Sequence, residues 1–413
     1  MGLLFKDDFH DEFGTWPLGY IPYGGADFGE VLAVAKAVGD GDDDAFYAAW
    51  IAAADRLAAQ AEADLARGRR TGAREGLLRA SCFYASSYHP IYGAPVDPRV
   101  VTAFRRHTET FDQAMALSDP PVAPIRIPFE GHGMPAYLIP AEGHTRGRRP
   151  LLILTNGYDG TIADMYFASA VAASRRGYHC LLFDGPGQGG MLVEEGVPLR
   201  ADWETVVTAV VDFALTQPIF DPDRIAITGW SLGGYLAPRA ASGEHRIAAC
   251  IADPGQPGLA PGFRSMFTRS GVSPEAVADL RRLDPGLIAR VEGMMADRKM
   301  RWMIEQRGYW VHGVDSVAEY LAAIQPFTLM EGRAEMIRCP TLITAAEEDT
   351  LAAGAQALYD KLTCPKDLIR FTAPEGAGDH CEMMNRSLLN RRILDWLDGV
   401  FGLNGAQRPA SGP

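Results

Sequence analysis

IAITGWSLGG, residues 225–234, places a β-type run directly before Gly229, Ser231 and Gly233 in G-x-S-x-G spacing. A strand is expected over Arg224 to Thr228 and a helix from Leu232. A serine between glycines on a strand-to-helix turn is lifted clear of the sheet, and the glycines remove Cβ atoms that would strike neighbouring backbone. A serine hydroxyl is a weak nucleophile until a base takes its proton, and that base must be oriented by a carboxylate. In folds that use this turn the chain order runs Ser, acid, His. The last histidine is His380 in GAGDHCE, between the expected strand 368–373 and the final helix, and it is taken as the base. The acid should follow TLITAA (341–346), where Glu347, Glu348 and Asp349 stand; Asp349 is chosen.

Attack by Ser231 would place negative charge on a carbonyl oxygen, which two backbone N–H groups should already face. Leu232 supplies one. The other is expected from NGYDGT (156–161), after the strand LLILT, with Tyr158 N–H at the place of the lipase-type HGG loop. Asp159 in that loop reads equally as a turn or cap residue, or as a carboxyl that holds a substrate hydroxyl or delivers a proton.

On both sides of this motif short apolar strands alternate with helices: LLILT (151–155), HCLLF (179–183), IAIT (225–228), IAACIA (247–252), TLITAA (341–346) and LIRFTA (368–373). Strands apolar throughout, each followed by a helix, predict an α/β fold whose mostly parallel sheet is covered on both faces. Between Pro254 and about Arg338 the alternation lapses into helical sequence. Residues 28–117 carry helical periodicity, and SDPPVAP (118–124) ends it. The expected organisation is an N-terminal helical domain (1–120), a first core part (121–253), a cap insertion (254–338), a second core part (339–404) and a disordered tail (405–413).

The chain has 413 residues, 47% hydrophobic and 22% charged, a balance that excludes disordered and collagen-like classes. No apolar run approaches the ~20 residues that span a bilayer. A formal charge of −13 disfavours nucleic acid and anionic lipid surfaces as partners. Six cysteines lack CxxC spacing, so no metal site is expected and they read as buried hydrophobes. The start MGLLFKDDF lacks a basic region followed by an apolar one, and a cytoplasmic location is the expectation. DGPGQGG (184–190) formally contains G-x-G-x-x-G, but Pro186 lies within it and no clean helix opening follows. It reads as a turn leaving a strand, and no cofactor is expected. The other eight histidines read as structural, and Trp230, Tyr309, Trp310 and the Tyr20 to Tyr23 stretch as residues that could line an aromatic cavity.

Together, AREGLLRAS, NGYDGT, FDGPGQG, GWSLGG, CPTLI followed by Asp349, and GDHC around His380 resemble the α/β-hydrolases. Within them, the chain is similar to 2,6-dihydroxypseudooxynicotine hydrolase and the fungal hydrolases that shorten naphthopyrone polyketides. The resemblance implies a catalytic acid at Asp159, where the nicotine-degrading member carries glutamate, one methylene longer. It also implies an active site roofed by the N-terminal helices and the insertion, and a homodimer. The reaction it implies is hydrolysis of a carbon–carbon bond next to a ketone in a β-dicarbonyl or aryl ketone. The same triad would serve an ester, lactone or thioester hydrolase, or an acyltransferase or cyclase. A non-catalytic ligand-binding protein on the same fold is the reading from another class.

Overall fold

Eight strands form one sheet in the order β1-β2-β4-β3-β5-β6-β7-β8. They are β1 (Pro124–Phe129), β2 (His132–Ile139), β3 (Arg149–Thr155), β4 (His179–Phe183), β5 (Phe220–Trp230), β6 (Ala249–Asp253), β7 (Thr341–Ala346) and β8 (Lys366–Phe371). Strand β2 runs antiparallel to β1 and β4, and all later pairings are parallel. The computed structural model describes residues 2–144 and 147–403, so the expected tail 405–413 lies outside the described residues.

The inner strands are buried on both faces, and their side chains still divide by parity, because successive residues of a strand point to opposite sides. Leu151 and Ile153 of β3, with Leu181 and Phe183 of β4, join the core formed with the helices Trp203–Leu215 and Gly233–Ala241. Leu152, Leu154, Cys180 and Leu182 point the other way, into a core shared with the final helix Arg386–Val400 and the N-terminal helices. Those N-terminal helices are α1 (Asp8–Gly14), α2 (Trp16–Gly19), α3 (Phe28–Val38), α4 (Asp43–Ala66), α5 (Arg70–Ser87) and α6 (Pro98–Ala116). Helix α4 begins where expected because Asp42 accepts from the Ala45 N–H and Asp43 and Asp44 face the positive helix end. The helices inserted between β6 and β7 have an apolar core of their own, built from Phe267, Leu280, Val291, Ile304, Tyr320 and Ile324.

One local expectation, that no clean helix opens in DGPGQGG, needs correction, and where the N-terminal and final helices start is fixed only by the structure. Helices α1 and α2 lie ahead of residue 28, in sequence too aromatic and short-ranged to show a period. A short helix, Gly189–Val193, does open inside DGPGQGG. The last helix starts at Arg386 because Cys381 and Glu382 hold left-handed backbone (φ 55° and 49°) just before it.

Candidate active site

Strand β5 ends at Trp230, the helix Gly233–Ala241 begins three residues later, and Ser231 between them holds φ 55°. This left-handed conformation is costly for a residue with a Cβ and persists only where its surroundings enforce it. The enforcement is visible: a Cβ on Gly229 would come within 2.2 Å of the Gly233 carbonyl oxygen. The Ser231 N–H donates to Cys381 Sγ at 3.1 Å, and the Gln256 side chain donates to the Ser231 carbonyl.

The hydroxyl so presented donates to His380 Nε2 at 3.1 Å, and His380 Nδ1 donates to Asp349 Oδ2 at 2.8 Å. Asp349 also accepts from the Leu351 N–H, which fixes its carboxylate. Burial opposes protonation of His380, but the hydrogen bond and charge of Asp349, with Asp253 and Asp159 beyond, outweigh it and hold its pKa above the ordinary value. Burial likewise opposes ionisation of Asp349, and its hydrogen bond to His380 overcomes this, so its pKa stays below the usual carboxylate range. Of the other two acids after β7, Glu347 accepts from the Ala373 N–H at an exposed edge, and Glu348 is exposed. Asp349, His380 and Cys381 carry donor atoms within 4.8 Å of one another, as a metal would need, but Asp349 Oδ2 and His380 Nδ1 are engaged with each other.

The loop after β3 lies directly over the serine. A Cβ on Gly157 would meet Ser231 Cβ at 2.9 Å and Leu232 N at 3.2 Å, so only glycine permits this approach. Among the described residues the N–H groups of Tyr158 and Leu232 donate to no protein acceptor. Side chains to which their motifs assigned no part hold the loop: Asn156 accepts from Trp230 Nε1 and donates to the Thr161 carbonyl, while Gln188 Nε2 donates to the carbonyls of Asn156 (2.7 Å) and Gly157 (3.1 Å). The glycines of DGPGQGG make room for Trp203, Leu199 and Asp184, so that motif is spent on packing and on carrying Gln188 to the loop. Asp184 accepts from the Gly190 N–H, and burial pushes its pKa up to about 7.

Ser231, His380, Asn156, Gly157, Asp159 and Gly160 line one pocket, with Trp16, Trp230 and Met383. Asp159 is buried, at 6% exposure, and its Oδ2 lies 3.4 Å from Nη1 of Arg307, which descends from the insertion. Helix α2 brings Trp16 against Trp230, ring centres 6.1 Å apart, and a Cβ on Gly19 would strike the Met383 carbonyl, so this helix sits on the loop that carries His380. Trp16 and Arg307 were missed because they arrive from sequence far from any motif. Of the aromatics expected at the cavity only Trp230 lines this pocket: Trp310 packs on Tyr92, Tyr309 on Tyr320 and Tyr20 on Phe167. His312, read as structural, is buried with Nε2 at 2.8 Å from the Tyr158 hydroxyl, and burial pushes its pKa down to about 3.

Residues 152–388 match the model of a family described as the alpha/beta hydrolase family. The chain is 33% identical over 414 residues to the hydrolase LUC6 of Fusarium sp, covering 94% of this chain and 95% of that one. It is 32% identical over 430 residues to 20-hydroxy-prefusarin hydrolase of Gibberella moniliformis, covering 98% and 99%. In structure it is similar to 2,6-dihydroxy-pseudo-oxynicotine hydrolase, with a TM-score of 0.73 at 23% identity, over 92% of this chain and 95% of that one. An eight-stranded, mostly parallel sheet with this turn after its fifth strand, matched over most of the chain by these relatives, belongs to the alpha/beta hydrolase family.

Proposed function

We propose that the chain is a serine hydrolase that cleaves a carbon–carbon bond next to a ketone in a β-dicarbonyl or aryl-ketone substrate, through an acyl-enzyme. The observation that carries the reading is the unbroken hydrogen-bonded line from Asp349 through His380 to Ser231 Oγ, whose serine end opens into a pocket that also holds the buried carboxyl of Asp159. The chemistry follows from the geometry. His380 Nε2 takes the Ser231 proton as Oγ bonds to the carbonyl carbon, and the new oxyanion accepts from the N–H groups of Tyr158 and Leu232. Carbon is a poor leaving group, so the breaking bond must pass its electron pair into an adjacent carbonyl or ketonised ring, giving an enolate or phenolate-stabilised carbanion. His380 returns the proton to that carbon and then activates a water that releases the acid and restores Ser231. Asp159 holds the enol or ring hydroxyl while this charge develops.

The substrate is a small molecule with an aromatic or enolic part, and Trp16 and Trp230 offer it apolar walls. A homodimer and a cytoplasmic setting belong to the same reading; no helix among the described residues is long and apolar enough to cross a membrane. The decisive experiment incubates the protein with 1-phenylbutane-1,3-dione and with p-nitrophenyl esters, identifying products by mass. Benzoate or acetate released from the diketone supports the proposal. Efficient ester turnover with an inert diketone moves the assignment to an ester, lactone or thioester hydrolase or acyl-transfer enzyme. Failure of a fluorophosphonate to label Ser231 removes both.

A further inference from the structure

Arg307, which the proposed mechanism leaves unused, is a cation beside the pocket residue Asp159. It stands on the helical segment Trp302–Gly308 of the insertion, with its side chain only 15% exposed. Its guanidinium lies over two rings, 4.7 Å from the centre of Tyr158 and 4.6 Å from that of Trp302. These faces favour a cation and fix the plane of the fork, but they accept no conventional hydrogen bond. A guanidinium has five N–H donors. Among the described residues Arg307 directs one of them, Nη1, at Asp159 Oδ2 over a long 3.4 Å, and its buried Nε has no partner. For an arginine so removed from water this is an unusually incomplete set, since buried polar groups are ordinarily satisfied.

The pair therefore presents hydrogen-bond donors from Arg307 beside acceptors from Asp159, at the edge of the pocket that contains Ser231. A carboxylate would satisfy Arg307 but face the charge of Asp159, and an ammonium would do the reverse. A hydroxyl oxygen both donates and accepts, so an enol or phenol placed between the two satisfies both without adding charge.

We infer that Arg307 is a specificity-determining residue: together with Asp159 it recognises an enol or ortho-phenol hydroxyl adjacent to the scissile carbonyl, donating to the oxygen whose proton Asp159 accepts. The inference rests on the serine-hydrolase reading and adds to it the residue that selects hydroxylated substrates. Asp159 can pass the hydroxyl proton on to the carbon that bears the acyl group, giving the keto tautomer; carbon–carbon cleavage then sends the bonding electron pair to this oxygen as an enolate or phenolate, and the adjacent guanidinium stabilises it.

The test uses two esters that differ by one oxygen, phenyl salicylate and phenyl benzoate, with the full-length wild type, Arg307→Met and Arg307→Lys. Fluorophosphonate labelling of Ser231 is followed in each: loss of labelling in the wild type would defeat the serine reading itself, independently of this one. With labelling intact, Arg307→Met should lower kcat/KM for the salicylate at least about tenfold more than for the benzoate, because the hydroxyl then meets an unmatched site. Arg307→Lys, which keeps the charge but not the fork, should fall between. Equal losses on the two esters in both variants, the outcome of a purely structural arginine, would overturn the inference.

Discussion

Ser231 and His380 are set by backbone that glycine-free chain seldom adopts: φ is 55° at Ser231, and again at Cys381 directly after the histidine. The two left-handed residues meet where the Ser231 N–H donates to Cys381 Sγ, so the elbow and the histidine loop fix each other. If Ser231 is the nucleophile, Ser231→Ala should abolish fluorophosphonate labelling and lower kcat at least about a thousandfold, leaving the oxyanion contribution as residual activity. The histidine works as a base only when neutral. Its pKa lies above the ordinary 6.5, so activity should fall on the acid side with an apparent pKa higher than 6.5 in a kcat/KM profile. Asp349→Asn removes the hydrogen bond and charge that raise it, so the acid limb of whatever activity remains should move to lower pH; a limb that stays in place would deny Asp349 that role.

At the scale of elements, the loop after β3 reaches the serine because three separate segments hold it. Gln188, from the loop after β4, donates to two of its carbonyls; Trp230, from the end of β5, donates to Asn156; and Gly157 leaves room for close contact. Gly157→Ala would drive a methyl to within 2.9 Å of Ser231 Cβ and displace the Tyr158 N–H. Losing one oxyanion donor, the role proposed for the Tyr158 N–H, costs about 100- to 1000-fold in kcat, and that is the expected loss. Gln188→Ala should act in the same direction more weakly, as Asn156 still anchors the loop. Strand β7 shows how finely an element end selects: of three successive acids only Asp349, the residue whose carboxylate caps the following turn, points at the histidine.

At the scale of the whole molecule, Arg386 ties together segments more than 200 positions apart. Fully buried at the start of the final helix, it bonds Asp253 at the end of β6 (3.0 Å), the Cys381 carbonyl (2.6 Å) and Ser169 Oγ (3.1 Å). Glu382 lies in the same interior, and burial together with the charge of Asp253 raises its pKa well above the usual range. Arg386→Met would strand the Asp253 carboxylate without its counter-charge, at about 3–5 kcal/mol in chemical denaturation, and should loosen the His380 loop that the guanidinium supports. The N-terminal helices join the insertion through a second cluster, in which Trp302 lies 5.6 Å from Phe9 and 5.0 Å from Phe13, and donates from Nε1 to the His89 carbonyl. From these two linked segments Trp16 reaches Trp230 and Arg307 reaches Asp159.

What the residues alone determined is local or ordered along the chain. Apolar runs of five to seven residues define strands such as β3, β4 and β7, because a strand buried on both faces leaves no polar alternation. G-x-S-x-G marks the turn, because few side chains fit where a strand folds back into a helix, and the order Ser, Asp, His follows the order of the strands. The tertiary structure decided which side chains converge. Arg307 is 148 positions from Asp159, and Trp16 lies in a two-helix start with no period to read. Gln188 sat inside a motif whose glycines suggested another chemistry. Such contacts depend on how helices pack over the sheet ends, a property of summed apolar burial across the whole chain, and no spacing within one segment encodes it.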